Sequence, residues 1–128
     1  MQNRRMIFSK NKILGNIGES VACQYLEKNG YKIIEKNFRI SFGEIDIVAK
    51  KRDIMIFVEV KSSYRGKFLP EENITDKKKK KLIQLAKTYL TIKKYKANQF
   101  WQIDVIAIEF KNRKRCALRH TKNAVMEL

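Results

Sequence analysis

The segment Ile54–Lys61 constrains the fold more than any other stretch of the chain, because it is apolar at every position until Glu59. Side chains alternate across a strand, so one face carries Ile54, Ile56, Val58 and Val60. The other face carries Met55 and Phe57, and then Glu59 and Lys61. A strand apolar on both faces has to be covered on both. The chain must therefore build a sheet with further structure packed on each side, and it must place a carboxylate and an amine at the end of a buried strand. The preceding segment, Glu44–Ala49, is separated from it by the polar tip Lys50-Lys51-Arg52-Asp53, which is a hairpin pattern.

The flanking sequence supplies the cover. Leu14, Gly18, Val21, Ala22, Tyr25 and Leu26 recur at helical spacing, which predicts a helix over about Asn16–Asn29. Gly30, free to adopt positive φ, is the stop. Tyr31–Ile40 reads as a strand and Ser41-Phe42-Gly43 as a turn. Ser62–Asn73 reads as a loop containing Gly66 and Pro70. A second helix starts at Thr75 or Asp76, either of which can cap it. Its apolar series is Leu82, Leu85, Ala86, Tyr89 and Leu90. Phe100–Phe110 is a long apolar strand and Cys116–Thr121 a short final one. The order predicts an α/β fold with a mixed β-sheet flanked by helices, the second helix serving as a crossover. A chain of 128 residues suits one domain. That domain spans 12–128, and Met1–Asn11 reads as a basic, flexible arm.

Lys and Arg number 29 against 13 Asp and Glu, a net charge of +16. Such an excess favours a polyanionic partner through phosphate neutralisation and counterion release. An acidic protein or an anionic surface would satisfy the same charge, although no basic amphipathic helix with exposed aromatics is evident to favour a membrane. No apolar run approaches ~20 residues, so no membrane-spanning helix is expected. Met1–Lys12 lacks the apolar segment of a secretory signal. Cys23 and Cys116 are isolated, and two cysteines make neither a disulfide framework nor a zinc site. These features point to a cytoplasmic protein.

The chemistry concentrates on the hairpin. If Arg52-Asp53 is its two-residue tip, Lys51 lies opposite Ile54, Asp46 opposite Glu59 and Glu44 opposite Lys61. Cross-strand partners lie ~5 Å apart, so two carboxylates converge beside an apolar strand. They repel and are costly to desolvate unless a proton or a cation compensates. Mg²⁺ (or Mn²⁺) suits such a set, with Asp46, Glu59 and the Val60 carbonyl as ligands. Lys61 would then steady an attacking water or stabilise charge on a phosphate. The alternative is a structural salt bridge joining Asp46 and Glu44 to Lys61. Glu19 borders the apolar stripe of the first helix. With Gly15 and Gly18 beside it, it can lean towards the carboxylates, or it can simply favour the helix's first turn. Within Lys77–Lys81, Lys78 lies one turn before Leu82 on the core side and could hold a phosphate, with Lys79 at the edge. The other lysines make a solvated face. Asp104 interrupts an apolar strand, either as an acceptor for a lysine or as the strand's wet end. His120 is the only histidine, which argues against a histidine-based triad or a histidine-rich metal site.

The sequence resembles the YraN family, small bacterial proteins with a restriction-endonuclease-like fold of the PD-(D/E)xK superfamily. The resemblance rests on Gly15-x-x-Gly18-Glu19 with Ala22 and Tyr25-Leu26, on Gly30-Tyr31, on Asn37-Phe38-Arg39 and on Gly43-Glu44-Ile45-Asp46. It continues through Phe57-Val58-Glu59-Val60-Lys61, Ile74-Thr75-x-x-Lys78, Ala86-x-x-Tyr89-Leu90, Asp104-Val105 and Asn123-Ala124. It implies an αβββαβ core in which Asp46, Glu59 and Lys61 take the positions of the superfamily motif. Glu19 would be the first-helix glutamate of resolvase-like members. The activity implied is Mg²⁺-dependent phosphodiester hydrolysis in DNA rather than RNA, with branched or junction DNA as a candidate substrate. Ser62-Ser63 stand where such proteins usually have Thr-Arg, which makes Arg65 a substitute phosphate contact alongside Arg39. The rival readings are a catalytically silent nucleic-acid-binding module of the same fold and a basic adaptor for an acidic protein partner. A homodimer is compatible with all three.

Overall fold

The structure, a computed structural model, describes residues 10–64 and 74–125. In chain order its elements are α1 (Lys10–Lys28), β1 (Lys32–Ile40), β2 (Gly43–Lys51), β3 (Ile54–Tyr64), α2 (Asp76–Ile92), β4 (Trp101–Phe110) and β5 (Cys116–Thr121). The strands form one sheet in the order β1-β2-β3-β4-β5. β3 and β4 are parallel and every other neighbouring pair is antiparallel. This is the α/β, αβββαβ arrangement with a mixed sheet that the sequence predicts, extended by β5.

The two faces of β3 sort as alternation requires. Ile56 and Val58 are buried with Ala22, Cys23 and Leu26 of α1. Met55 and Phe57 are buried with Leu82, Leu85, Ala86 and Tyr89 of α2. One helix therefore covers each face, and each large apolar side chain so buried contributes roughly 2 kcal/mol. The hairpin register is the expected one, with Lys51 opposite Ile54 and Ile47 opposite Val58.

The ends of several elements move. α1 starts at Lys10 rather than Asn16, and β3 continues through Ser62 and Ser63 to Tyr64 because they pair with Ile108, Glu109 and Phe110 of β4. A sequence reading of serines as loop could not anticipate a parallel partner from 46 residues downstream. α1 ends as Gly30 predicts: its φ is 86°, and the Gly30 and Tyr31 amides donate to the Glu27 and Leu26 carbonyls. Thr75 caps α2, its hydroxyl accepting from the Lys78 amide at 3.2 Å. Among the described residues no helix is long and apolar enough to cross a membrane.

Candidate active site

The expected carboxylates meet where β2 and β3 part. The last pair of their ladder is Ile47 with Val58. One residue further on, Asp46 Oδ2 instead accepts a hydrogen bond from the Val60 amide at 2.8 Å. Asp46 and Glu59 are both buried, at 9% and 5% exposure. Burial pushes the Asp46 carboxyl up to about 8; the neighbouring Glu59 charge adds to the rise, and the Val60 amide opposes it. A hydrogen bond between the two carboxyls and the more distant charge of Glu19 act in the same direction as burial.

Two cations face Glu59. Lys61 Nζ lies 3.7 Å from Glu59 Oε2, and Lys78 Nζ, from the first turn of α2, lies 3.3 Å from the same oxygen. Lys78 therefore occupies the cleft position read from the sequence. The alternative salt bridge to Lys61 takes a different form. Glu44 binds Arg39, its cross-strand partner, at 2.7 Å, while Lys61 pairs with Glu59.

Glu19 reaches this end of the sheet from the opposite face. α1 lies close to β3 at Gly18, where an added Cβ would meet the Ser62 hydroxyl first and the Ser62 Cβ at 3.4 Å. Burial raises the Glu19 carboxyl above its ordinary range, a hydrogen bond from Asn37 opposes that, and the charges of Glu44 and Glu59 add to it. A residue on the α1 side can sense carboxylates on the α2 side because β1 and β2 turn over here. Phe38 and Ile45 pack in the α2 cluster, although Ile47, two residues along, packs in the α1 cluster. The turnover coincides with Asn37, whose φ is 54°.

The remaining sequence candidates fall elsewhere. Arg39 is exposed and held by Glu44. Lys79 lines a separate cavity of about 220 Å³ with Ile74, Val105, Thr121, Ala124 and Val125. Arg65 and the basic arm up to residue 9 lie outside the described residues.

Among the described residues no three His, Cys, Asp or Glu side chains gather closely enough to hold a metal ion by themselves. The donor set is thus two carboxylates, a backbone carbonyl at Val60 and water. That is a fit for Mg²⁺ or Mn²⁺, which take hard oxygen ligands and keep several waters. The burial of both carboxyls side by side marks the same requirement, since a cation supplies the compensating charge.

Asp104 and His120 correct the sequence reading. Asp104 is fully buried, and its Oδ2 lies 2.7 Å from His120 Nε2. His120 Nδ1 lies 2.9 Å from the Tyr25 hydroxyl. Asp104 Oδ1 accepts from the Gln102 amide at 2.8 Å and the Asn123 backbone at 2.9 Å. A carboxylate accepts, so Nε2–H donates to Asp104, and the second ring nitrogen and the Tyr25 hydroxyl share the other hydrogen bond. The single histidine stands in a hydrogen-bonded chain of three side chains, with no serine or cysteine nucleophile in it. Its third member is a tyrosine, and its effect is to tie α1, β4 and β5 together. The signal in the sequence was the carboxylate inside an apolar strand.

Comparison with known proteins places this geometry in a family. Residues 18–108 match the uncharacterised protein family UPF0102. A UPF0102 protein of Clostridium perfringens strain 13 is 48% identical over 101 residues, covering 78% of this chain and 82% of that protein. A UPF0102 protein of Clostridioides difficile strain 630 is 44% identical over 115 residues, covering 89% and 97%. Among solved structures, Pyrococcus furiosus SfsA in complex with Ca²⁺ matches with a TM-score of 0.42 and 17% identity, over 91% of this chain and 65% of that one.

Proposed function

We propose that this chain, which belongs to the uncharacterised protein family UPF0102, is a metal-dependent nuclease that hydrolyses phosphodiester bonds in DNA. The observation that carries the reading is the buried Asp46–Glu59 pair with Lys61 and Lys78 beside it. Two carboxyls buried side by side at a sheet end, next to amines suited to a phosphate, are costly to keep for stability alone. The net charge of +16 supports a polyanionic substrate.

Asp46, Glu59 and the Val60 carbonyl would hold Mg²⁺ or Mn²⁺. When bound, such an ion supplies an acidified water and offsets charge on the phosphate. The chain's own groups do the rest. Lys61, at the end of β3, stabilises negative charge developing on the phosphate oxygens. Lys78 leaves Glu59 for the phosphate backbone and orients it. Glu19 accepts a hydrogen bond from the attacking water. Arg39 and Arg65 contact flanking phosphates, and Lys79 joins them at the edge of α2.

Purified protein should cut at least one of linear, single-stranded, flapped or four-way DNA in Mg²⁺ or Mn²⁺. Asp46→Asn and Glu59→Gln should abolish cleavage and leave DNA binding intact, because the lysines remain. No cleavage of any of these substrates with either ion overturns the enzyme reading. One observation favours a second reading, a catalytically silent nucleic-acid-binding module: Glu59 is already neutralised by two lysines. That module would bind DNA with steeply salt-dependent affinity and cut nothing.

A further inference from the structure

The carboxyl pair has neighbours along its row of the sheet. Glu59 of β3 lies beside Val105 of β4, and Val105 lies beside Thr121 of β5. Directly paired residues share a face, so the three side chains line up on the α2 side at the strand spacing of about 4.8 Å. Over the far part of this row lies the cavity of about 220 Å³, with the buried Val105 as its floor.

The walls of the cavity are fixed by specific contacts. Asn123 has a left-handed φ of 50°, and its backbone N–H donates to Asp104 Oδ1 at 2.9 Å. The next N–H, of Ala124, donates to the Ile103 carbonyl at 2.8 Å. The segment after β5 is thereby folded back onto β4, and Ala124 and Val125 line the cavity from there. On the other side Thr75 caps α2 and sets its first turn. Of two successive lysines in that turn, Lys78 reaches Glu59 at 3.3 Å and Lys79 lines the cavity. One turn of helix therefore borders both the carboxyl pair and the cavity. Thr121 is exposed, so the cavity opens to solvent at β5.

Size and lining narrow the occupant. Drug-sized ligands fill pockets of about 300–1,000 Å³, so this cavity suits a single small ring system. Ile74, Val105, Ala124 and Val125 offer apolar surface to the faces of such a ring. The Thr121 hydroxyl can bond a polar ring edge, and the Lys79 amine an adjoining anion. A nucleotide combines those parts. A base inside a duplex is stacked and paired, so it enters a concave site only by leaving the stack, and it does so most readily where the strand is already unpaired.

Resting on the nuclease reading above, we infer that this cavity is a nucleobase subsite. It takes the unpaired base next to the phosphate at Asp46 and Glu59, with Lys79 on that nucleotide's own phosphate and the Thr121 hydroxyl on the edge of the base. The substrate class is then DNA with unpaired nucleotides at the bond to be cut, rather than intact duplex.

The test is fluorescence anisotropy of the full chain with a labelled single strand, and with a strand of the same length that is abasic throughout. A chelator is present, so nothing is cut. The abasic strand keeps the phosphates and lacks the bases. The wild type should prefer the base-bearing strand about tenfold, the scale of one base stacked in a protein site. Ala124→Leu and Thr121→Leu each fill the cavity, from different walls. Each should bring the preference to within about twofold and leave the affinity for the abasic strand, which phosphate contacts set, unchanged. Thr121 is exposed on a strand at the sheet edge, so Thr121→Leu stays folded even where Ala124→Leu does not, and urea midpoints check both. No binding, or equal affinity of the wild type for the two strands, overturns the inference. So does a tenfold preference that survives in folded Thr121→Leu. A base preference in a protein that cuts nothing in Mg²⁺ or Mn²⁺ overturns the nuclease reading alone, whereas cleavage without the preference overturns the subsite alone.

Discussion

Replacing Asp46 with asparagine should make the metal-free protein less sensitive to alkaline pH, because the wild-type site stores an electrostatic penalty there. The Asp46 carboxyl is held at about 8, against an ordinary 3.8, by burial first and by the Glu59 charge second. A carboxyl raised on folding keeps its proton in the folded state while the unfolded chain has lost it. Its contribution to stability is therefore complete below about pH 4, falls as pH rises, and is exhausted above about 8. The slope is about 1.4 kcal/mol per pH unit, which sets a ceiling of about 6 kcal/mol across that window. Lys61 and Lys78 stay close to Glu59 and soften the repulsion as the pair ionises, so a realised loss of about 3 kcal/mol is expected. Asparagine has a similar shape and no charge to develop, so Asp46→Asn should lose little over the same range. Urea unfolding between pH 5 and 9 in a chelator measures both proteins. Repeating it in excess Mg²⁺ should restore the wild type at high pH and leave Asp46→Asn unchanged. A stability difference between the two proteins that stays constant with pH would refute the reasoning, as would equal stabilisation of both by Mg²⁺.

Two further substitutions probe the frame around the site. Gly18→Ala places a methyl group against Ser62 Oγ, which has no hydrogen-bond partner to lose on rotating away, so it should shift the denaturant midpoint by less than about 1 kcal/mol; a larger loss would show that α1 is forced off β3. Asp104→Ala leaves the His120 ring N–H, the Gln102 amide and the Asn123 backbone N–H without their acceptor, so it should cost at least about 3 kcal/mol by the same measurement, whereas Tyr25→Phe, which removes one outer hydrogen bond, should cost only about 1.

Much of this was legible along the chain because it depends on local periodicity. The hairpin register from Lys51–Ile54 to Ile47–Val58 follows from a two-residue tip and an alternating pattern, but beyond it Asp46 leaves the expected pairing with Glu59 and binds the Val60 amide. Lys78 could be aimed at the cleft because its place one turn before Leu82 assigns it to the buried side of α2. The ends of elements were less legible. Ser62 and Ser63 extend β3 only because β4 pairs with them, and pairing between distant segments leaves no local mark. Glu109 illustrates the same point: it sits at the end of an apolar strand, yet it is buried between Lys111 at 3.3 Å and Arg119 at 3.3 Å.

From its residues alone the chain determined which side chains are candidates for a site and which strand faces they share, since alternation and helical spacing are properties of neighbouring residues. Only the tertiary structure decided how Glu19 joins that group and what Asp104 and His120 do. Both depend on contacts between segments far apart in the chain: α1 resting on β3 at Gly18, β1 turning over at Asn37, and β5 returning His120 to a buried carboxylate. Such contacts are settled by packing and by the need to satisfy every buried polar group, and neither is written in any short window of sequence.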